Sequence, residues 1–133
     1  MKQIDLKEVE ILNKMFSNFT EEYLAKKPCQ VKPEKLLEWI ENNEKILIVD
    51  IKTPKEVMLI GFTHTDSIHI PMHTLFEKEN LEKLANSNYE KIVLVCRSGH
   101  RSLIATAFLK RVGFDNVFSL EGGIIELVQH IRP

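Results

Sequence analysis

Cysteine is scarce in this chain of 133 residues. Cys29 and Cys96 are the only two. They could pair once at most, so a disulfide framework is excluded and nothing points to an oxidising compartment. Four Cys or Cys/His ligands at zinc spacing are lacking too. Net charge is nearly absent: 18 Lys plus Arg stand against 19 Asp plus Glu, leaving −1. There is thus no global electrostatic case for nucleic acid. No apolar run approaches the roughly 18 residues of a membrane helix. MKQIDLKEVEILNKMF has neither a continuous apolar stretch nor a small-residue cleavage site, unlike a signal peptide. A cytoplasmic protein without membrane or nucleic-acid partners is expected. The phosphate-binding G-x-x-x-x-G-K loop and the dinucleotide fingerprint are also missing, and no cofactor or metal is expected.

What is present suits one ordinary soluble core. Apolar residues make up 44% and charged residues 28%, which is typical of a globular domain. A domain of this length buries roughly two-thirds of its unfolded surface and needs no staple.

From Pro33 onward two patterns alternate. PEKLLEWIENN reads as a helix with Pro33 at its first position. ILIVD (46–50) is a short β-branched run suited to a strand buried on both faces. SIHIP (67–71) is a second extended run, and HTLFEKENLEKLA reads as helical, with a possible break at Glu79-Asn80. KIVLVC (91–96) is the clearest buried strand. SLIATAFLKRVGF follows as a helix opening at Ser102 and ended by Gly113, with Lys110-Arg111 at its exposed end. NVFSL (116–120) is another strand, Gly122-Gly123 a turn, and IIELVQH a closing helix. Such alternation predicts an α/β fold: a small, mostly parallel sheet of about five strands with helices on both faces. Right-handed crossovers place all carboxyl strand ends along one edge, where open α/β sheets bind ligands. Asp50, Cys96 and Glu121-Gly122-Gly123 fall at that edge.

Residues 1–28 do not fit the alternation and are expected to form a helical extension, with the main domain at 29–133. Val9, Leu12, Phe16, Phe19 and Tyr23 make one helical stripe. Asp5 and Glu8 resemble a capping box, and Thr20 before Glu21-Glu22 offers a second helix start. Two readings stay open for the stripe: packing on its own domain, or a homodimer or partner surface.

The chemistry is concentrated in VLVCRSGHRSLIA. Cys96 ends a buried strand, Arg97, Ser98, Gly99, His100 and Arg101 form a tight loop, and Ser102 follows. Such a loop can turn successive N–H groups inward as an anion nest. A following helix adds unpaired N–H groups and the positive end of its dipole. A free cysteine with pKa about 8.5 is only roughly 3% thiolate at pH 7. Each unit of lowering is worth about 1.4 kcal/mol, which a nest, a helix terminus and two guanidinium groups can supply. Cys96 taken alone would be a core hydrophobe; in this loop it is a candidate nucleophile. Cys29 reads as an inert thiol. His64, His69 and His73 lack helical ligand spacing and carry no metal reading.

CRSGHRS after a V-L-V strand resembles the active-site loop of the rhodanese family of sulfurtransferases, in a single-domain form. The likeness runs over about residues 29–131. LIVDIKTPKEV resembles the family's strand and turn, SIHIP its A-I-N-I-P segment, and VGFDNVFSLEGGI its G-F, strand and L-x-G-G stretch. Three departures stand out. Lys52 replaces the more usual Arg, GFTHTDSIHIP is irregular, and Leu127-Val128 occur where a Trp is common.

The resemblance implies sulfane-sulfur transfer from a donor such as thiosulfate to cyanide, a thiol or a protein acceptor through a Cys96 persulfide. Arg97, Ser98, Gly99, His100, Arg101 and Ser102 would bind the substrate or persulfide. Arg101 would face the substrate or pair with Asp50, and Asp50 would support the loop or only cap its own turn. Counted from Cys96 to Arg101 the loop has six residues. Phosphatases of similar fold carry seven, so a phosphatase or arsenate reductase is the lesser enzymatic reading. A non-turnover persulfide carrier or protein-binding module is the alternative from another class.

Overall fold

The computed structural model describes residues 2–62, 64 and 66–131. A five-stranded sheet runs in the order β1 (Gln30–Val31), β5 (Val117–Leu120), β4 (Lys91–Val95), β2 (Ile46–Asp50), β3 (Ser67–His69). Every adjacent pair is parallel. The two central strands, β4 and β2, pair over their full length, from Ile46 opposite Lys91 to Asp50 opposite Val95. Both are buried almost throughout. That is why their sequences read as unbroken apolar runs rather than alternations.

Strand alternation divides the core in two. Leu47, Val49, Ile51, Ile92, Leu94 and Cys96 face one way, against Leu84 of α5 (Lys78–Ala85) and Ala105 and Leu109 of α6 (His100–Arg111). Ile46, Ile48, Val93 and Val95 face the other. They meet Leu36 of α3 (Pro33–Glu41) and Ile124 and Leu127 of α7 (Gly123–Ile131). Burying a side chain of this size stabilises the fold by about 1.5–3 kcal/mol, so both layers are needed. No helix among the described residues is long and apolar enough to cross a membrane.

Several local expectations are corrected. The helix after β4 opens at His100, not at Ser102. The segment after β3 is not one helix: a 3₁₀ turn over Met72–Thr74 precedes α5, so the break falls before Lys78 rather than at Glu79-Asn80. There Asn80 Nδ2 donates to the Thr74 carbonyl at 2.8 Å and ties the two pieces. Lys110 is not on an exposed helix end. It is 8% exposed, with its ammonium 5.5 Å from the Phe118 ring centroid. Two elements have no counterpart in the sequence reading: β1, only two residues long, and α4 (Pro54–Leu59), which a capping box between Thr53 and Glu56 starts.

The first residues form two helices, α1 (Leu6–Ser17) and α2 (Glu21–Lys26), capped by Asp5 and Thr20. The predicted stripe does not turn inward as a unit. Met15, outside it, is the buried residue of α1, while Phe16 and Val9 are 66% and 44% exposed. Phe19 and Tyr23 are half-buried and stack edge to face, 5.6 Å between centroids.

Candidate active site

Cys96 is the first residue beyond β4, on the face that α6 covers, so its sulfur lies at the N-terminus of that helix. It is 1% exposed. The amide of Gly99 donates to Sγ at 3.1 Å and that of Ser102 at 3.4 Å. The Ser102 hydroxyl is also 3.4 Å away. Burial is the largest single influence on this thiol and pushes its pKa up. The hydrogen bonds from the Ser102 side chain and from the amides of Ser102, Gly99 and Ser98 together outweigh it, so the net pKa is below the ordinary thiol value. A buried sulfur with inward-facing amides is a site for an anion.

The loop's shape depends on α7. The amide of Ile124 donates to the Cys96 carbonyl at 3.0 Å and that of Ile125 to the Arg97 carbonyl at 3.3 Å. In a trans peptide the N–H points opposite its C=O. The Arg97 carbonyl held against α7 therefore aims the Ser98 amide away from it, on the side of the sulfur that this amide stabilises. Gly123 permits this approach: a Cβ there would lie 2.6 Å from the Cys96 carbonyl oxygen. Gly99, at φ +99°, makes the turn into α6.

The charged residues are placed differently from the expectation. Arg101 pairs not with Asp50 but with Glu56 of α4, in a two-pronged contact of 2.7 and 2.8 Å. That guanidinium, helped by the Thr53 amide, pulls the Glu56 carboxyl down to about 2. Asp50 instead accepts from the Lys52 amide at 3.0 Å and the Lys52 ammonium at 2.7 Å. Both side chains are buried, at 5% and 2% exposure. Lys52, noted in the sequence only as a departure, is thus the partner of Asp50. Arg97, Ser98 and His100 are exposed at the mouth, with Ser98 Oγ 3.4 Å from His100 Nδ1.

Two participants had no local signal. Glu56 lies 45 residues from Arg101, and only the fold brings the two together. Ser119, fully buried on β5, places its hydroxyl 2.6 Å from that of Ser102. In the sequence it is one polar residue within an apolar strand.

An all-parallel sheet with a cysteine past its central strand, cradled by amides at a helix start, defines a cysteine-centred α/β domain of the anion-stabilising kind. A family model described as the rhodanese-like domain matches residues 32–130, and the chain belongs to that family. A protein named sulfurtransferase from Allochromatium vinosum is 33% identical over 105 residues, covering 78% of this chain and 92% of that one. The probable adenylyltransferase/sulfurtransferase MoeZ of Mycobacterium tuberculosis is 30% identical over 110 residues, 82% of this chain. The chain spans only 27% of that relative's length. Among solved structures, a rhodanese-related protein from Thermoplasma volcanium superposes with a TM-score of 0.62 at 28% identity, covering 78% of this chain and 94% of that one.

Proposed function

We propose that this protein is a sulfurtransferase that moves a sulfane sulfur from a donor of the thiosulfate type to a thiophilic acceptor through a persulfide on Cys96. The observation that carries the reading is the cradle of amides around a buried Cys96 sulfur whose pKa is lowered in spite of burial. The names of the two relatives support it.

In the first half-reaction the Cys96 thiolate attacks the outer sulfur of the donor. The donor's S–S bond breaks, its electron pair leaves with sulfite, and Cys96 carries a terminal sulfur anion. In the second, cyanide or a thiolate attacks that terminal sulfur, and Cys96 departs as the thiolate it began as. The amides of Ser98, Gly99 and Ser102 stabilise the sulfur anion in both states. This is covalent nucleophilic catalysis with ping-pong kinetics. The six-residue loop suits one sulfur atom better than a tetrahedral phosphoryl group.

Incubation with thiosulfate and cyanide, beside Cys96→Ser, tests the proposal. Steady thiocyanate formation that vanishes in the variant supports the enzyme. A stable adduct of about 32 Da on Cys96 without turnover assigns a carrier instead. Neither adduct nor turnover with any sulfane donor removes the reading.

A further inference from the structure

Half of α1 has no support from its own domain. Every residue from Leu6 to Ile11 is exposed, and Met15, in the last turn, is the residue that the helix buries. A helix of 12 residues is marginal in water by itself, and packing of an apolar face is what ordinarily sustains one. Such a face is present, and it is turned to solvent. Leu6, Val9, Asn13 and Phe16 recur at a 3-4-3 spacing, the a and d positions of two heptads. All four are exposed. Asp5 caps the helix, so Ile4 and Val9 hold the two positions of a hydrophobic staple, and Ile4 extends the same stripe. At the other end Phe16 stands edge-on to the half-buried Phe19, 6.4 Å between centroids, which ties the stripe to the domain.

Charge and size suit a second copy of this chain. Lys2, Lys7 and Lys14 are matched by Asp5, Glu8 and Glu10, so two such segments do not repel each other. The same balance removes the attraction to anionic lipid that a cationic polar face supplies. Ile4, Leu6, Val9 and Phe16 are 64%, 71%, 44% and 66% exposed. Aliphatic side chains of this kind carry on the order of 100 Å² of apolar surface, and Phe more, which leaves about 300 Å² on each copy and about 600 Å² on two. Interfaces are roughly 60% apolar, so the whole contact comes to about 1,000 Å², the lower bound for specific association. Asn13 is the one polar residue of the stripe. A lone Asn at an a position fixes the register and the number of paired helices while weakening their affinity.

We propose that α1 pairs with α1 of a second copy along the seam of Leu6, Val9, Asn13 and Phe16, making the protein a homodimer that dissociates in the micromolar range. A two-fold contact repeats the same side chains on both partners, so a single stripe supplies both halves of the interface. The seam is remote from the sulfur. Met15 and Lys110 line one cavity, so α1 meets its domain at the last turn of α6. The turn that cradles Cys96 begins at the other end of that helix, about 16 Å away along its axis. Residues 1–28 thus serve assembly rather than chemistry, and the proposal does not depend on the reaction assigned to Cys96.

Gel filtration with light scattering, run on the full chain from micromolar to hundreds of micromolar protein, tests this. A dimer that falls to monomer on dilution is expected. Val9→Glu combined with Phe16→Glu alters exposed positions only and should raise the Kd about a hundredfold, since each places a charge in the seam. Met58→Glu, also at an exposed position but on α4, should leave the dimer in place. Asn13→Leu removes the polar group from the seam. It should tighten association about tenfold and admit higher oligomers, and it decides the matter even if the double variant unwinds α1. A monomer at every concentration overturns the proposal. So does a dimer that survives the double variant, one that Met58→Glu dissociates, or one that Asn13→Leu fails to tighten. A monomer that sediments with vesicles of phosphatidylcholine and phosphatidylserine overturns it in favour of a membrane-facing α1.

Discussion

The hydroxyls of Ser102 and Ser119 lie 2.6 Å apart, both fully buried. Ser102 Oγ is also 3.2 Å from the Gly99 carbonyl and 3.4 Å from Cys96 Sγ. A hydroxyl has one proton to give. While Cys96 is a thiol, its S–H points at Ser102, which donates to the Gly99 carbonyl. Once Cys96 is a thiolate, the Ser102 proton turns to the sulfur, and Ser119 can donate to the oxygen behind it. Ser119 is thus a positioning residue that acts through Ser102.

Ser102→Ala should slow alkylation of Cys96 at pH 7 by about tenfold, the scale of one hydrogen bond to a charged group. Ser119→Ala should slow it less. Both should move the midpoint of the rate-against-pH curve upward, with Ser102→Ala moving it further. A midpoint unaffected by Ser119→Ala would leave that residue a purely structural role.

Glu56 gives the fold a defined acid sensitivity. Its carboxyl lies at about 2 in the folded protein, against an ordinary 4.5, chiefly because the Arg101 guanidinium holds it. Between those two values the unfolded chain binds the proton and the folded one resists it. Stability therefore falls as pH drops through that window and is fully present above it. Glu56→Gln should cost about 1 kcal/mol at neutral pH, since both partners are partly exposed and screened. It should also flatten the loss of stability below about pH 4.5. Urea titrations at pH 6 and pH 3 measure this, and equal pH dependence in both proteins would refute it.

The order and type of the main elements were legible because the two-sided burial of β2 and β4 writes itself as ILIVD and KIVLV. Cys96 and its loop were legible because tight-turn chemistry is local. The charge partners were not. Arg101 reaches Glu56 across 45 residues and Asp50 takes Lys52 two residues on, a choice that depends on where α4 lies, and α4 itself, only six residues long, was not read from the sequence. Which residue of α1 is buried was not legible for a related reason. An amphipathic helix with apolar residues on more than one side can present several faces, and packing selected the one holding Met15.

Lys52 and Asp50 are buried together with a 2.7 Å contact. Removing one partner leaves an uncompensated charge inside, which typically costs about 3–5 kcal/mol. Lys52→Met should therefore destabilise the protein by that order. Adding Asp50→Asn should recover much of the loss, because an amide oxygen still accepts from the Lys52 backbone N–H, which the Met variant retains. A double-mutant cycle by thermal or urea unfolding reads this coupling directly. Additive losses would mean that the pair is not coupled as its geometry implies.

Gly123 and Gly113 separate backbone strain from loop contact. Both have positive φ, +66° and +119°, so alanine at either position is strained and should cost about 1 kcal/mol or more. They differ in surroundings. A Cβ on Gly113 meets nothing within 4 Å, whereas one on Gly123 presses on the carbonyls of Cys96 and Arg97. Gly123→Ala must push those carbonyls away, and the amides aimed at the sulfur turn with them. It should slow Cys96 alkylation at neutral pH and raise the midpoint of its pH profile. Gly113→Ala should lower the melting temperature while leaving that profile in place. If the two variants changed the thiol's pH profile alike, or neither changed it, α7 would not be what aims the loop.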